Sequence, residues 1–334
     1  MRSSALLSAA TVSVAALALA GCASGPADGA ADDGLTVVAS TSVYADVARA
    51  VGGDDVEVSA IIDKTSQDPH SYEATAQDKL AVSKADLVVA NGGGYDHFID
   101  VLTQDLGLSA EAVLSAVDSA EPAHEGEDAH VAEEGRAAAE ASDGAADTGA
   151  EAEDHGHDHS AGNEHVWYDV HTVAALAGEI SQRLGALQPE SASTFEANAE
   201  AFATSLESVE DKIAALAESS NGKRFAMTEP VPYYLLIEAG LVDGTPEGFS
   251  EAIEEGGDVS PLLLKELRDG LSDGGYAVLA YNARTAGPQT EAVRSAAEAA
   301  GVPVVEFTET LPEGTNYVSW MSSNTESLAA ALDG

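Results

Sequence analysis

Two short stretches carry side chains able to do chemistry. Asp68-Pro69-His70-Ser71-Tyr72-Glu73-Ala74-Thr75 sets an imidazole among carboxylates, and His165-Val166-Trp167-Tyr168-Asp169 offers a second. Imidazole suits zinc, and added carboxylate oxygens also suit manganese. The single cysteine, Cys22, excludes both an intramolecular disulfide and a thiolate cage, so any metal site must use His and carboxylates. Taken one at a time, His70 and His165 read as surface loop residues rather than ligands. Other signals carry less. Gly92-Gly93-Gly94 lacks the pattern of a phosphate loop, and the chain has neither H-E-x-x-H nor G-x-S-x-G. His97 and His171 read as helix-terminal or surface residues, while Tyr72, Trp167, Tyr233 and Tyr317 read first as core and second as cleft lining.

The elements that must position these groups alternate in type. Leu35 to Ala39, Val56 to Ile62 and Asp86 to Ala90 read as strands, with helical spacing at Tyr44, Val47, Ala48 and Val51 and again around Leu80 and Val82. Such alternation implies a parallel sheet with helices on both faces. His70 then falls in the loop after the second strand, at the carboxyl end of the sheet, where α/β proteins place binding residues. Thr172 can cap a helix bearing Leu176 and Ile180. Pro189 to Ser219 reads as one long helix, with Phe195, Phe202, Leu206, Val209, Ile213 and Leu216 near helical spacing. About 30 residues at 1.5 Å each span roughly 45 Å, enough to run the length of a two-lobed protein. The βα style resumes with strands at Arg224 to Thr228, Ala277 to Tyr281 and Val302 to Phe307, and helices at Val231 to Ala239, from Ser260-Pro261, at Gln289 to Ala300 and at Tyr317 to Leu332. No fixed-period repeat is present, and the lobes are alike in style only.

Charge excludes one class of partner. The 334 residues hold 58 Asp and Glu against 14 Lys and Arg, a net charge of −44, which phosphate backbones would repel. The apolar fraction of 45% still supplies a core. A net −14 is concentrated between Asp118 and His165, a stretch with fifteen carboxylates, Arg136 as its only base and six of the nine histidines. With almost no core-forming residues, 118–164 is expected to be a loop without fixed structure unless cations bind.

The amino terminus reads as an export signal: Arg2, then an apolar run from Ala5 to Ala20. Leu19-Ala20-Gly21-Cys22 resembles the lipobox of bacterial lipoproteins, where the Cys thiol carries the lipid. Ala23 to Gly34 has the composition of a flexible tether reaching on the order of 20 Å. The division is therefore signal 1–21, tether 22–34, N-terminal lobe 35–188, connecting helix 189–220 and C-terminal lobe 221–334, with the working part extracytoplasmic.

The two His motifs, with Val37 to Thr41 before them and Ala85 to Gly92 between, resemble the metal-binding lipoproteins of bacterial ABC importers for zinc and manganese. The resemblance runs from about Leu35 to the C-terminus. It implies two βα lobes joined by one long helix, a metal site in the cleft between them, and a monomer that delivers its ion to a membrane permease driven by an ATPase. It further implies that His70 and His165 are ligands. Glu229, after the first strand of the second lobe, falls at the third ligand position; Glu309, after the last strand, stands where the family usually has Asp.

Four protein ligands leave little room for a reacting water, which favours capture over catalysis. His155, His157 and His159, with His124 and His130 upstream, resemble the His-rich acidic loop of the zinc branch, whereas two His with two carboxylates resemble the manganese branch. His-rich tracts prefer late transition metals, so Zn²⁺ is the expected ion and Mn²⁺ the alternative. A metal-dependent hydrolase, if water replaces Glu309, and an adhesin that merely holds metal remain the readings from other classes. Because imidazole must be neutral to coordinate, affinity is expected to fall below a pH of about 6.

Overall fold

The computed structural model describes residues 34–120, 162–220 and 222–333. The signal, the lipobox Cys22 and the loop histidines His124, His130, His155, His157 and His159 lie outside them. Among the described residues, no helix is long and apolar enough to cross a membrane.

The N-terminal lobe runs β1 (Leu35–Thr41), α1 (Ser42–Gly52), β2 (Val56–Ile62), α2 (Ala76–Val82), β3 (Leu87–Ala90), α3 (His97–Leu106) and β4 (Val113–Ser115). Its four parallel strands lie in the order β2-β1-β3-β4. The apolar run of β3 is buried throughout, as a central parallel strand covered on both faces must be. After α4 (Val170–Leu187), the 29-residue α5 (Ala192–Ser220) leads into the second lobe.

That lobe comprises β5 (Arg224–Met227), α6 (Tyr233–Glu238), β6 (Val242–Asp243), α7 (Phe249–Glu254), α8 (Pro261–Ser272), β7 (Val278–Asn282), α9 (Pro288–Ala300), β8 (Val304–Phe307) and α10 (Tyr317–Leu332). Its sheet repeats the topology as β6-β5-β7-β8, all parallel. The lobes thus share more than style. In each, the second strand goes to one side of the first and the third to the other, so the loops after the first and third strands diverge at a switch point where ligands bind.

One apolar cluster runs through both lobes. It joins Val37, Val47 and Leu87 of the first to Phe225, Leu235 and Val305 of the second by way of Phe195, Phe202, Leu206, Val209 and Ile213 on α5. The outer face of each sheet has a smaller cluster, around Val88 and Ile99 in one lobe and Leu267 and Val293 in the other.

Local chemistry explains where the observed elements depart from expectation. The long helix begins at Ala192, after a turn in which Ser191 donates its backbone N–H to Gln188. Asp169, not Thr172, caps α4: its carboxylate accepts from His171 N, and the Thr172 hydroxyl bonds to it. Ser260 with Pro261 does open α8. β4 and β6, at three and two residues, are too short to show any periodicity and were not anticipated. Of the stretch expected to lack fixed structure, the described residues include Asp118 and Ser119 in a 3-10 turn and the buried Glu164.

Candidate metal centre

His70 is held from behind. Asp68 Oδ1 accepts from the His70 backbone N–H at 2.9 Å and lies 3.3 Å from its Nδ1, so the ring turns Nε2 toward the cleft. There Nε2 meets Glu164 Oε1 at 3.5 Å and Glu254 Oε1 at 3.8 Å.

His165 is fully buried at the return from the acidic stretch. Asn163 Oδ1 accepts from its backbone N–H at 3.0 Å and faces its Nδ1 at 2.7 Å. Asn163 also reaches the other lobe, donating from Nδ2 to Pro230 O at 2.9 Å, while Tyr234 OH donates to Asn163 O at 2.7 Å. His165 Nε2 lies 3.1 Å from Glu254 Oε1.

Tyr95 packs against both imidazoles, 4.8 Å from the His70 ring and 5.6 Å from the His165 ring, and leans on Trp167. Its hydroxyl donates to Glu309 Oε2 at 3.2 Å. From the second lobe, Asn282 at the end of β7 donates through Nδ2 to Glu309 Oε1 at 2.8 Å and also to Glu229 Oε2. Asn91, just past β3, makes the matching contact in the first lobe, donating to the Glu164 carbonyl at 2.9 Å.

The four residues singled out in the sequence are thus all buried or half-buried in one region, but not as a simple tetrad. Ligand atoms of His70, His165 and Glu254 lie within 4.8 Å of one another, and Asp68, His70 and Glu309 form a second such group. Glu229 joins neither group and is linked to Glu309 through Asn282. Sequence reasoning missed Glu254, Glu164, Asn163, Tyr95 and Asn282. The only signal for Glu254 is topological: it follows β6 as His70 follows β2.

His97 is exposed beside Asp100, and His171 is exposed between Glu210 and Glu238, so neither joins the cluster. Tyr72 bonds Asp78 and packs edge-on against Phe98, away from the imidazoles, and Tyr317 is core.

Burial dominates the proton affinities. It would depress His70, but Asp68 and Glu164, with Glu309 and Glu254 beyond, hold its imidazolium up to about 10. Burial pushes His165 down to about 3. Glu254 is pushed up to about 9 by burial and then by the charge of Glu164, and Glu229 to about 7 by burial, with Glu309 adding to it. Burial also raises Glu309. Glu164 goes the other way, to about 2, because His70 outweighs its burial. His70 Nε2, His165 Nε2, Glu229 Oε1 and Glu254 Oε1 are all buried without a hydrogen-bond partner. Unpaired buried polar atoms are costly, and a cation set among those of His70, His165 and Glu254 would pair them, while Glu229 Oε1 stands apart from that group.

Comparison with known proteins places this geometry in context. The family described as zinc-uptake complex component A, periplasmic (ZnuA), matches residues 37–331. The iron ABC transporter substrate-binding lipoprotein MtsA of Streptococcus pyogenes serotype M1 is 26% identical over 264 residues, covering 74% of this chain and 76% of its own. The manganese ABC transporter substrate-binding lipoprotein PsaA of Streptococcus pneumoniae is 24% identical over 339 residues, 94% of each chain. Among solved structures, the periplasmic zinc-binding protein TroA of Treponema pallidum superposes with a TM-score of 0.66 at 19% identity, covering 90% of this chain and 99% of that one, a likeness of fold.

Proposed function

Because the chain belongs to the family of periplasmic zinc-uptake component A proteins, we propose that it is the extracytoplasmic receptor of an ABC importer, capturing Zn²⁺ between its lobes and delivering it to a permease driven by an ATPase. His70, His165, Glu229 and Glu309 are the ligands of this reading. The observation that carries it is the set of buried nitrogen and oxygen atoms, drawn from both lobes, that have no hydrogen-bond partner. Two imidazoles whose Nδ1 atoms are occupied by Asp68 and Asn163 are oriented as metal-binding histidines are, with Nε2 turned toward Glu164 and Glu254. No motif of hydrolytic catalysis accompanies them, and the reading is of a binding protein rather than an enzyme.

Zinc is favoured over manganese by the two imidazoles, by the family's description and by the His-rich acidic loop, which would gather ions near the site. The carboxylates keep manganese as the alternative. Cys22 is the proposed lipid attachment and the protein a tethered monomer; mass spectrometry of the membrane fraction that found Cys22 free of lipid would reject the anchor.

Calorimetry on the His70→Ala/His165→Ala double variant tests the site itself. Zinc binding should be lost, and wild-type affinity would overturn the reading. Zinc and manganese competing at equal concentration for metal-free protein should leave zinc bound; retained manganese would reverse the choice of ion.

A further inference from the structure

The two lobes have the same strand order, so each loop at the carboxyl edge of one sheet has a counterpart in the other. Asn91 and Asn282 stand at the ends of the third strands, β3 and β7, and each binds an acidic residue of the site, Asn91 through a backbone carbonyl and Asn282 through carboxylates. His70 follows the second strand of its lobe. The residue that follows the second strand of the other lobe and turns into the cleft is Glu254, at the end of α7.

Glu254 is half-buried as a residue, but its side chain is only 7% exposed, and its Oε1 lies 3.1 Å from His165 Nε2 and 3.8 Å from His70 Nε2. Which of these atoms carry protons follows from the neighbours. The His165 backbone N–H can only donate, so the Asn163 atom it meets is the oxygen, and the amide nitrogen faces Pro230 O. His165 Nδ1, 2.7 Å from that same oxygen, is therefore the protonated nitrogen. The lone pair of Nε2 then points at a carboxyl oxygen of Glu254, whose other neighbour is His70 Nε2 at 3.8 Å.

Between an imidazole lone pair and a carboxyl oxygen at this separation there must be either the proton of the carboxyl group or a cation that takes its place. Adjacent ligand atoms around a tetrahedral zinc with bonds of about 2.0–2.1 Å are about 3.3 Å apart. The observed contacts of 3.1 and 3.8 Å bracket that spacing. Asn282 donates to Glu229 Oε2 and Glu309 Oε1, whereas Glu254 Oε1, like Glu229 Oε1, has no donor.

We infer that Glu254 is a direct ligand of the captured ion, contributed by α7 as the second lobe's counterpart of His70. The assignment rests on the metal-capture reading and adds to it a carboxylate that the two His motifs and the two strand-end glutamates do not include. With it, each lobe supplies a ligand from the connection beyond its second strand, a loop in the first lobe and the end of α7 in the second.

The test compares zinc binding by the full-length protein, Glu254→Gln, and Glu247→Gln as a control that removes one exposed carboxylate nearby. Affinity is read by chelator competition and coordination by zinc-edge X-ray absorption. Glu254→Gln should bind at least about tenfold more weakly, with one fewer nitrogen or oxygen neighbour at about 2.0 Å, while Glu247→Gln matches wild type. If circular dichroism shows the Gln variant unfolded, Glu254→Asp, which keeps the charge on a shorter arm, should give an intermediate affinity. Wild-type affinity in Glu254→Gln, or weaker binding with an unchanged coordination number, overturns the assignment and leaves metal capture standing. Failure of the wild-type protein to bind zinc overturns metal capture itself.

Discussion

Asn163 and His165 are locked together at two points: one amide oxygen accepts the His165 backbone N–H at 3.0 Å and faces its Nδ1 at 2.7 Å. The nitrogen of the same amide bonds Pro230, next to Glu229 in the other lobe. One small side chain thus sets the tautomer of an imidazole and ties it to the loop that carries a carboxylate.

Replacing Asn163 with Ala should weaken zinc binding about 10- to 100-fold, the usual effect of losing an outer partner of a metal-binding His. Asn163→Asp should recover the His contact but set a carboxylate oxygen against Pro230 O, so its affinity falls between the two. Calorimetry at fixed pH separates them, and equal affinities in all three proteins would dismiss the role.

In the metal-free protein, pH should act on stability in a definite direction. His70, raised from 6.5 to about 10, keeps a proton that the unfolded chain releases, so its contribution is full below about 6.5 and is lost as pH rises toward 10. Glu254, raised from 4.5 to about 9, acts in the same sense across its own interval. His165, lowered to about 3, acts oppositely and costs stability as pH falls below 6.5. Chelator-treated protein should therefore lose melting temperature steadily between pH 6.5 and 9, while the increment added by zinc grows over the same range. A flat profile would count against these proton affinities. With His70 and Glu254 raised in this way, proton competition for zinc should set in above the value near 6 expected from free imidazole, which zinc affinity measured from pH 5 to 9 would check.

Binding should also release protons. At neutral pH an ion that takes the place of the His70 and Glu254 protons expels about two of them, detectable as a dependence of the calorimetric heat on buffer ionisation enthalpy. Release of none would place the ion elsewhere.

Asn282 holds two buried carboxylates with one nitrogen. Asn282→Leu removes both bonds, each worth about 1.5–3 kcal/mol when the partner is charged, so the urea midpoint should drop markedly. Asn282→Asp adds a third carboxylate instead. It should be still less stable without metal and gain more from zinc than wild type does, which thermal melts with and without zinc would reveal.

Removing residues 121–161, which hold His124, His130, His155, His157 and His159, should lower the number of zinc ions bound while leaving the tightest site intact. Unchanged stoichiometry would mean that the segment does not collect metal.

His70 and His165 stood out in the sequence only as a pair, through motifs that resemble those of a metal-binding family, and the structure brings their rings to 5.9 Å of each other. Glu229 and Glu309 were legible only through their positions after β5 and β8. Glu254 was not, since Glu251 and Glu255 flank it with the same chemistry and only the winding of α7 turns it inward while they stay exposed. Asn163 and Asn282 were hidden for another reason. A neutral amide has no chemistry of its own to announce, and its role exists only in the partners that folding brings to it. The lobe architecture was readable from apolar runs, except for β4 and β6, whose two or three residues depend on pairing with neighbours already in place.

The apolar cluster that passes along α5 from one lobe to the other has a consequence for letting the ion go. Opening such a protein like a clamshell would split its largest core, so release must rely on small displacements. That suffices for this cargo. Coordination bonds of about 2 Å do not stretch far, and an ion gripped from both sides loses half its partners when they separate by about 1 Å. A stiff body and a short-range grip go together: the transporter it docks on needs to supply only a nudge.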